Sequence, residues 1–454
     1  MSETTTLAEN KMGSMPIPRL LLHMAPPLMA AMLVQGLYNL VDSIFVAQLC
    51  EDALTAVSLV LPVDNLMVAF AVGTGVGINA MLSRRLGEKN REAAEQVANV
   101  GLLLAFLTWL VFALLGMFCS RSFFTAQVDV PAIIDYGTDY LTIITVFSMG
   151  IFLEITMERV LQGAGYSVQT MVAQLSGAVV NIVLDPILIF GWCGLPAMGV
   201  RGAAYATVIG RLLGGLLGVI LNHHYNKEIR LSLKKVRWNT PIVKEIYSIG
   251  FPSILMMAVS SVMAYLMNRI LLRFISTAAA IFGIYSKISN FFLMPVFGLN
   301  NALVPIVAYN YGAQDRGRIQ KTVRICIITA TVITIIGFAA MELFPAQLLH
   351  FFKASDDMLA LGIPALRILF LPFPIIGFSI VASSVFQALG KGTYSLWASL
   401  LRQIIILIPV AYLLSLTGNL TAVWYSVLIS EIVCFVFSIV LLARVRHLLD
   451  GFDH

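Results

Sequence analysis

The chain alternates long apolar segments with short polar ones along almost its whole length. Twelve apolar segments approach or exceed the roughly 20 residues that a helix needs to cross a bilayer. They leave little sequence for a water-soluble domain. The pattern therefore predicts an all-α integral membrane protein with twelve transmembrane helices. The predicted spans are residues 17–47, 53–83, 93–118, 132–160, 167–190, 198–222, 244–273, 278–308, 318–342, 358–388, 394–416 and 420–443.

The chain also repeats itself, because many residues recur 225 positions later. The matches are Pro16 with Pro241, Pro27 with Pro252, Gly73 with Gly298, Gly87 with Gly312, Arg91 with Arg316, Gln162 with Gln387 and Gly165 with Gly390. We therefore predict two pseudo-symmetric six-helix lobes, with the substrate path between them. The predicted parts are an N-terminal tail (1–16), an N-lobe (17–222), a linker (223–243), a C-lobe (244–443) and a C-terminal tail (444–454).

Composition and charge agree with this topology. Hydrophobic residues make up 59% of the chain, charged residues 12%, and the net charge is +5. Twenty Lys and Arg residues fall on one side of the predicted topology and about four on the other, whereas a nucleic-acid-binding protein would cluster them on one folded face. By the positive-inside rule, we expect both termini in the cytoplasm and no nucleic-acid partner. The polar N-terminus does not read as a signal peptide.

No motif of an enzyme or an ATPase is present. The sequence contains no Walker motif, HExxH, GxSxG or His-rich cluster, and its five cysteines lack metal-ligand spacing. We expect neither catalysis nor a cofactor. Energy for transport must then come from an ion gradient, where each charge crossing 100 mV is worth about 2.3 kcal/mol.

A few acidic residues fall inside the apolar spans, where a carboxylate costs about 2.5 to 3.5 kcal/mol and needs a partner or a function. They are Asp42, Asp64, Glu154, Asp185 and Glu431, with Glu158 near a cytoplasmic end. Asp42 and Asp185 lie near the outer ends of spans 1 and 5, Asn181 shares a face with Asp185, and Thr207 lies in span 6. The helical rise places these oxygen-bearing side chains at similar depth.

These residues predict a cation pocket in the N-lobe. Pro186 frees the carbonyl of Ile182 as a further oxygen, and such oxygens suit a hard cation such as Na⁺. Paired carboxylates could equally hold a proton. The alternative is that Asp42 and Asp185 only form hydrogen bonds between helices. The positions 225 residues later are Met267 and Val410, so the C-lobe lacks these acids.

Other interior residues are candidates for a substrate pocket. Gln35, Tyr38 and Asn39 form a polar stripe on span 1, and Met256 and Met263 could form an adaptable wall, although such methionines are more often ordinary packing.

Four further acids have alternative roles. Glu154 could attract an organic cation, whereas Glu158 is expected to reach the cytoplasmic surface beside Arg159. For Asp64 and Glu431 the sequence leaves the role open, and one alternative is a simple ion pair with a cation within the membrane. The candidate partners are Arg269, Lys287, Arg367 and Arg402, and Arg211 occupies the place in span 6 that Glu431 has in span 12.

The chain resembles bacterial members of the multidrug and toxic compound extrusion (MATE) family over its whole length. The strings that carry the resemblance are YNLVDSIFVAQL, ALTAVSLVLP, SRRLGEKN, NIVLDPILIFG and MGVRGAAYATVIGR. The resemblance implies a V-shaped pair of lobes in the bacterial inner membrane, acting as a monomer. It also implies export of cationic, amphiphilic compounds by antiport with Na⁺ or H⁺.

The resemblance further implies roles for individual residues. The coupling cation would bind at Asp42, Asn181, Asp185 and Thr207, with the Ala203 carbonyl as a further ligand. Bending of span 1 at its two prolines would couple ion to drug, and Pro26 and Pro27 are suitably placed. Some relatives instead carry acids in spans 7 and 10, and this chain has no acid in the interior of either span.

The predicted function is thus a secondary active multidrug efflux antiporter. The main alternative is a lipid-linked oligosaccharide flippase of the related superfamily, which should have a cationic central cavity for a diphosphate head. A receptor would not need two lobes, and an intramembrane enzyme would need a facing nucleophile and base. The residues leave the choice between Na⁺ and H⁺ open.

Overall fold

A computed structural model describes residues 10–47, 51–232, 236–352 and 356–452 of the chain. This described part is all-α and contains no β-strand, as expected where lipid cannot satisfy backbone hydrogen bonds. The helices are α1 (Lys11–Ser14), α2 (Ile17–Ala47), α3 (Glu51–Gly87), α4 (Arg91–Thr125), α5 (Pro131–Val146), α6 (Met149–Gly163), α7 (Ser167–Phe190), α8 (Val200–Tyr225), α9 (Thr240–Leu271), α10 (Ser276–Gly312), α11 (Arg316–Leu343), α12 (Pro345–Phe351), α13 (Asp356–Phe370), α14 (Phe373–Ala388), α15 (Gly392–Leu400), α16 (Leu407–Ser415) and α17 (Leu420–Arg446).

The helices confirm the predicted twelve-span fold. Within the described ranges, ten helices are long and apolar enough to cross a membrane, and two bent pairs raise the number to twelve. The pair α5 and α6 bends by 42°, and the pair α13 and α14 bends by 47°. Pro372 lies at the second bend, where it cannot supply the N–H that would continue the helix. A π-helical turn, Leu401–Ile405, separates α15 from α16.

Glycines bring the two lobes into backbone contact where α3 of the N-lobe crosses α10 of the C-lobe. A methyl group added at Gly87 would lie 1.9 Å from the carbonyl oxygen of Tyr309. One added at Gly312, its repeat partner, would lie 2.1 Å from the carbonyl oxygen of Arg84. Small residues allow such close approach of helices in membranes. The repeat thus places a glycine from each lobe at one crossing.

Both described ends of the chain lie on one side of the molecule, which we call the terminal side. Arg318 Nη2 donates to the carbonyl oxygen of Met12 at 2.7 Å. Arg316 pairs with Asp450 at 3.0 Å. The first turn of α11 therefore binds the first helix and the last residues of the described chain. That this side faces the cytoplasm stays a prediction of the charge distribution.

Candidate functional site

The helices α7 and α8 pack closely enough for their polar side chains to meet. A methyl group at Gly210 would lie 2.7 Å from the carbonyl oxygen of Gly177 and 2.9 Å from the Cβ atom of Asn181. One at Gly202 would lie 2.4 Å from the carbonyl oxygen of Leu188. Small residues on facing helices remove the spacing that side chains impose. The predicted polar residues of spans 5 and 6 are consequently adjacent.

Asn181 connects these two helices by hydrogen bonds. With its amide oriented to satisfy its neighbours, Nδ2 donates to Asp185 Oδ2 at 3.1 Å. Its oxygen accepts from the backbone N–H of Thr207 at 3.0 Å and from the Thr207 hydroxyl at 3.3 Å. Asp185 is 0% exposed, Asn181 2% and Thr207 6%. The structure thus brings these three into one buried group, and the buried Ala203 lies one turn before Thr207 on α8.

The fifth residue of the predicted cation pocket, Asp42, has a side chain outside the described residues, as do Tyr38 and Asn39. The same end of α2 nevertheless approaches α7. The rings of Phe45 and Phe190 lie edge to face with centroids 6.4 Å apart. Helix α2 therefore runs beside the helix that carries Asp185.

The predicted hinge and the polar stripe also lie on α2. This helix is continuous through Pro26 and Pro27. Pro26 is exposed and Pro27 is half-buried, as is Gln35. These predicted roles in bending and substrate contact stay predictions.

A second charged group lies within the N-lobe. Arg211 Nη1 donates to Asp64 Oδ1 at 3.1 Å, so Asp64 pairs with the arginine of span 6, which is not one of the four candidate partners taken from the sequence. Glu154 lies against α8, because a methyl group at Gly214 would come within 2.5 Å of its Oε1 atom. The charged groups that act on Glu154 are Glu158 and Arg211. This group has more acids than arginines.

A cavity of about 520 Å³ lies between the two lobes, within the size range of ordinary small-molecule sites. Its lining combines methionines and other apolar residues with serine, asparagine and glutamine side chains. Met256 lines it, whereas Met263 packs against the buried cluster that contains Met267. Arg159 and Arg402 also line the cavity, and none of the described lining residues is acidic. Glu154 is not among them.

The structure corrects the expected positions of Glu158 and Arg159. Both were assigned to the cytoplasmic end of span 4, but they are only 6% and 8% exposed. Arg159 Nη1 donates to Gln162 Oε1 at 3.0 Å and to Asn301 Oδ1 of the C-lobe at 2.9 Å. Arg159 can be buried against α3 because residue 75 of that helix is a glycine. A methyl group at Gly75 would lie 2.7 Å from Arg159 Cγ. The arginine side chain can therefore cross α3 towards the cavity.

The 225-residue repeat indicates the polar residues around Arg159, which an analysis of hydropathy alone does not detect. Gln162 and Gln387 match in the repeat, and Arg159 lies one helical turn before Gln162. Gln387 lines the cavity, so the repeat had marked a polar position in each lobe near the substrate path.

In the C-lobe, Arg402 Nη1 lies 3.7 Å from Glu431 Oε1. Arg402 is one of the four cations that the sequence offers as partners for Glu431. Arg402 belongs to the π-helical turn between α15 and α16, and such turns are frequent at functional sites. The arginine on the C-lobe wall of the cavity thus has a carboxylate counter-ion.

Comparison with known proteins identifies the family. The sequence model of the MatE family matches residues 27–187 and 252–413, one segment in each half of the chain. The chain belongs to the MatE family. Its resemblance to MATE transporters is therefore confirmed, and this MatE-family chain is a membrane transporter and not an enzyme.

Individual relatives of this MatE-family chain are distant but collinear with it. It is 26% identical to the multidrug export protein MepA of Staphylococcus haemolyticus over 415 residues, covering 91% of this chain and 90% of that protein. It is 25% identical to MepA of Staphylococcus aureus strain MSSA476 over 421 residues, covering 92% of each. A solved outward-facing structure of a multidrug resistance MATE transporter is 25% identical, with a TM-score of 0.91 over 98% of this chain and 99% of the other.

Proposed function

We propose that the chain is a secondary active multidrug efflux antiporter that exports cationic or amphiphilic organic compounds in exchange for Na⁺ or H⁺. The observation that carries this proposal is the buried group of Asn181, Asp185 and Thr207 in a transporter without an ATPase motif. The relatives named as multidrug export proteins support the substrate range.

The buried group can bind a cation through oxygen atoms of two helices. Asp185 supplies a carboxylate at 0% exposure, where an ion pair or a bound proton offsets the cost of burial. Thr207 supplies a hydroxyl oxygen, and Asn181 fixes both side chains through its amide. Oxygen ligands suit Na⁺, and the same carboxylate can bind H⁺.

Coupling requires that the ion and the drug favour different arrangements of the lobes. The cation pocket lies between N-lobe helices, whereas the cavity lies between the lobes and changes when they separate. Arg159 and Asn301 form a hydrogen bond across that boundary. We propose that ion binding in the N-lobe alters the packing of α2, α7 and α8 and so changes the drug's access to the cavity.

The acid-rich group of Asp64, Glu154 and Glu158 offers a place for the positive charge of an organic cation. Asp64 and Glu154 lie near the guanidinium of Arg211, and Glu158 lies near that of Arg159, so three carboxylates accompany two arginines. Opposite charge stabilises a cation at low dielectric.

One observation favours a second candidate, the lipid-linked oligosaccharide flippase. The charged residues among the described lining of the cavity are Arg159 and Arg402, which is the polarity that a diphosphate head would need. The volume of about 520 Å³ suits a drug-sized molecule better than an oligosaccharide. We therefore place the exporter first.

The test is transport in liposomes that contain the purified protein. A fluorescent organic cation is followed under an imposed Na⁺ gradient and, separately, under a pH gradient. We expect one gradient to drive flux and Asp185→Asn to abolish it, while Asp135→Asn, at an exposed position, leaves flux unchanged. Absence of flux from folded protein, with movement of a lipid-linked diphosphate sugar across the bilayer, would establish the flippase.

A further inference from the structure

The cavity between the lobes has a polarity that the export of simple cations does not explain. Its described lining contains two arginines and no acidic residue. A guanidinium within a membrane-spanning segment is costly to bury and usually has a functional role. A substrate with only positive charge would be repelled by this wall.

Among the residues that the structure describes, Arg402 has a salt-bridging carboxylate and Arg159 has none. Its Nη1 hydrogen bonds go to the neutral amide oxygens of Gln162 and Asn301, and Asn79 donates to the same Gln162 oxygen at 3.3 Å. Its Nε has no hydrogen-bond partner among the described residues. Glu158 acts on Arg159 electrostatically, but the amides accept its hydrogen bonds.

Arg402 differs because Glu431 already balances its charge at 3.7 Å. The position 225 residues after Arg159 is Ser384, which also lines the cavity. In the described lining, the arginine that has no carboxylate in a salt bridge therefore lies in the N-lobe wall, and the C-lobe wall has no counterpart.

The rest of the lining suits an amphiphile that carries an acidic group. A guanidinium offers five N–H donors in a planar fork that matches carboxylate, sulfonate or phosphate oxygens. The hydroxyls of Ser253, Ser379 and Ser384 add neutral polar groups to the lining, and Met256 and Phe297 supply apolar contact. The serine hydroxyls and asparagine amides of the lining are neutral, so they add no negative charge that would compete with a substrate anion for Arg159.

We infer that the cavity binds substrates through an anionic group held by Arg159, so that amphiphiles bearing a carboxylate, sulfonate or phosphate are preferred over otherwise identical cations. This inference rests on the proposed export function for its physiological meaning, but binding can be measured without transport.

The test compares two forms of one dye. The free acid of a rhodamine and the methyl ester of the same rhodamine differ only in the anionic group. We expect the wild-type protein in liposomes to export the acid with a kcat/KM about tenfold higher than the ester, the factor that corresponds to about 1.4 kcal/mol. A wild-type ratio at or below one would overturn the inference, whatever the variants do.

The variants assign the preference to one side chain. Arg159→Gln keeps hydrogen-bonding capacity without charge, and we expect the acid-to-ester ratio to fall towards one. Arg159→Lys keeps charge without the fork and should retain part of the preference. The control Arg201→Gln, on an exposed arginine, should keep the wild-type ratio. A ratio unchanged in Arg159→Gln would overturn the assignment.

Equilibrium binding separates this inference from the proposed function. Fluorescence anisotropy in detergent should give a lower Kd for the acid than for the ester, with the difference lost in Arg159→Gln. That result without any gradient-driven flux would support the anion site while refuting the exporter. Gradient-driven flux of the ester, with equal Kd values for the acid and the ester, would support the exporter and refute the anion site. Competition by a polyprenyl diphosphate stronger than by a soluble sulfonate would assign the anion to a lipid.

Discussion

At the scale of single residues, Thr207 offers the cleanest test of the cation pocket. Its backbone N–H holds the Asn181 oxygen at 3.0 Å, independently of its hydroxyl. Thr207→Val should therefore keep the helices in place while removing one oxygen. One hydrogen-bonding group contributes about 0.5 to 1.5 kcal/mol, so we expect the half-saturating concentration of the coupling ion to rise by about two- to tenfold.

The measurement is the dependence of flux in liposomes on the concentration of Na⁺ and, separately, of H⁺. Thr125→Val, at an exposed position near the end of α4, is the matched control and should leave both curves unchanged. If Thr207→Val also leaves both unchanged, Thr207 is not a ligand of the coupling ion.

At the scale of helices, the contact between α7 and α8 depends on glycine. A methyl group at Gly210 would lie 2.7 Å from the carbonyl oxygen of Gly177 and 2.9 Å from Asn181 Cβ. We expect Gly210→Ala to separate the two helices, weaken the bonds of Asn181 to Thr207, and lower both ion-driven flux and the Tm in detergent.

The control for this substitution is also a glycine within a helix. Gly283 in α10 has nothing within 4 Å of an added methyl group, and alanine is about 1 kcal/mol more favourable than glycine in a helix interior. Gly283→Ala should therefore keep or raise the Tm. An equal loss in both variants would show that the α7 and α8 contact has no special role.

The sequence predicted the helices well because hydropathy measures the burial of whole segments in lipid. It missed the bend between Val146 and Met149 and the π-helical turn at Leu401–Ile405, since local breaks leave average hydropathy unchanged. The sequence placed Asn181, Asp185 and Thr207 at similar depth, because the helical rise along each separate helix determines that depth. It misplaced Arg159, because hydropathy cannot distinguish a polar residue beside a loop from one beside a cavity between lobes.

At the scale of the whole molecule, the two lobes share a fold but not a chemistry. The repeat partner of Asp42 is Met267, which is fully buried in an apolar cluster of the C-lobe with Leu407 and Ala411. An ion that binds only one of two similar lobes changes the packing of that lobe alone. Under the proposed antiport, the N-lobe helices would therefore move relative to a C-lobe that lacks the corresponding acids.

Movement between the lobes must also break the contacts on the terminal side. The carbonyl oxygen of Met12 accepts from Asn310 Nδ2 at 3.3 Å and from Arg318 Nη2 at 2.7 Å, both in the C-lobe. Asn10, at the start of the same short helix, donates to the carbonyl oxygen of Ala164 in the N-lobe at 3.3 Å. Helix α1 thus bridges the lobes on this side.

Removing this bridge should favour the conformation in which the terminal side is open. Arg318→Ala deletes charged hydrogen bonds worth about 1.5 to 3 kcal/mol each, which is enough to shift a two-state equilibrium by more than tenfold. Spin labels at Lys89→Cys and Gln314→Cys, two exposed loop positions matched in the repeat, would report the separation of the lobes. We expect Arg318→Ala to increase the population at long distance. Arg316→Ala breaks the pair with Asp450 of the C-terminal tail, which does not join the two lobes, and should leave the distances unchanged. Equal distance distributions in both variants would exclude α1 as a bridge that holds the terminal side closed.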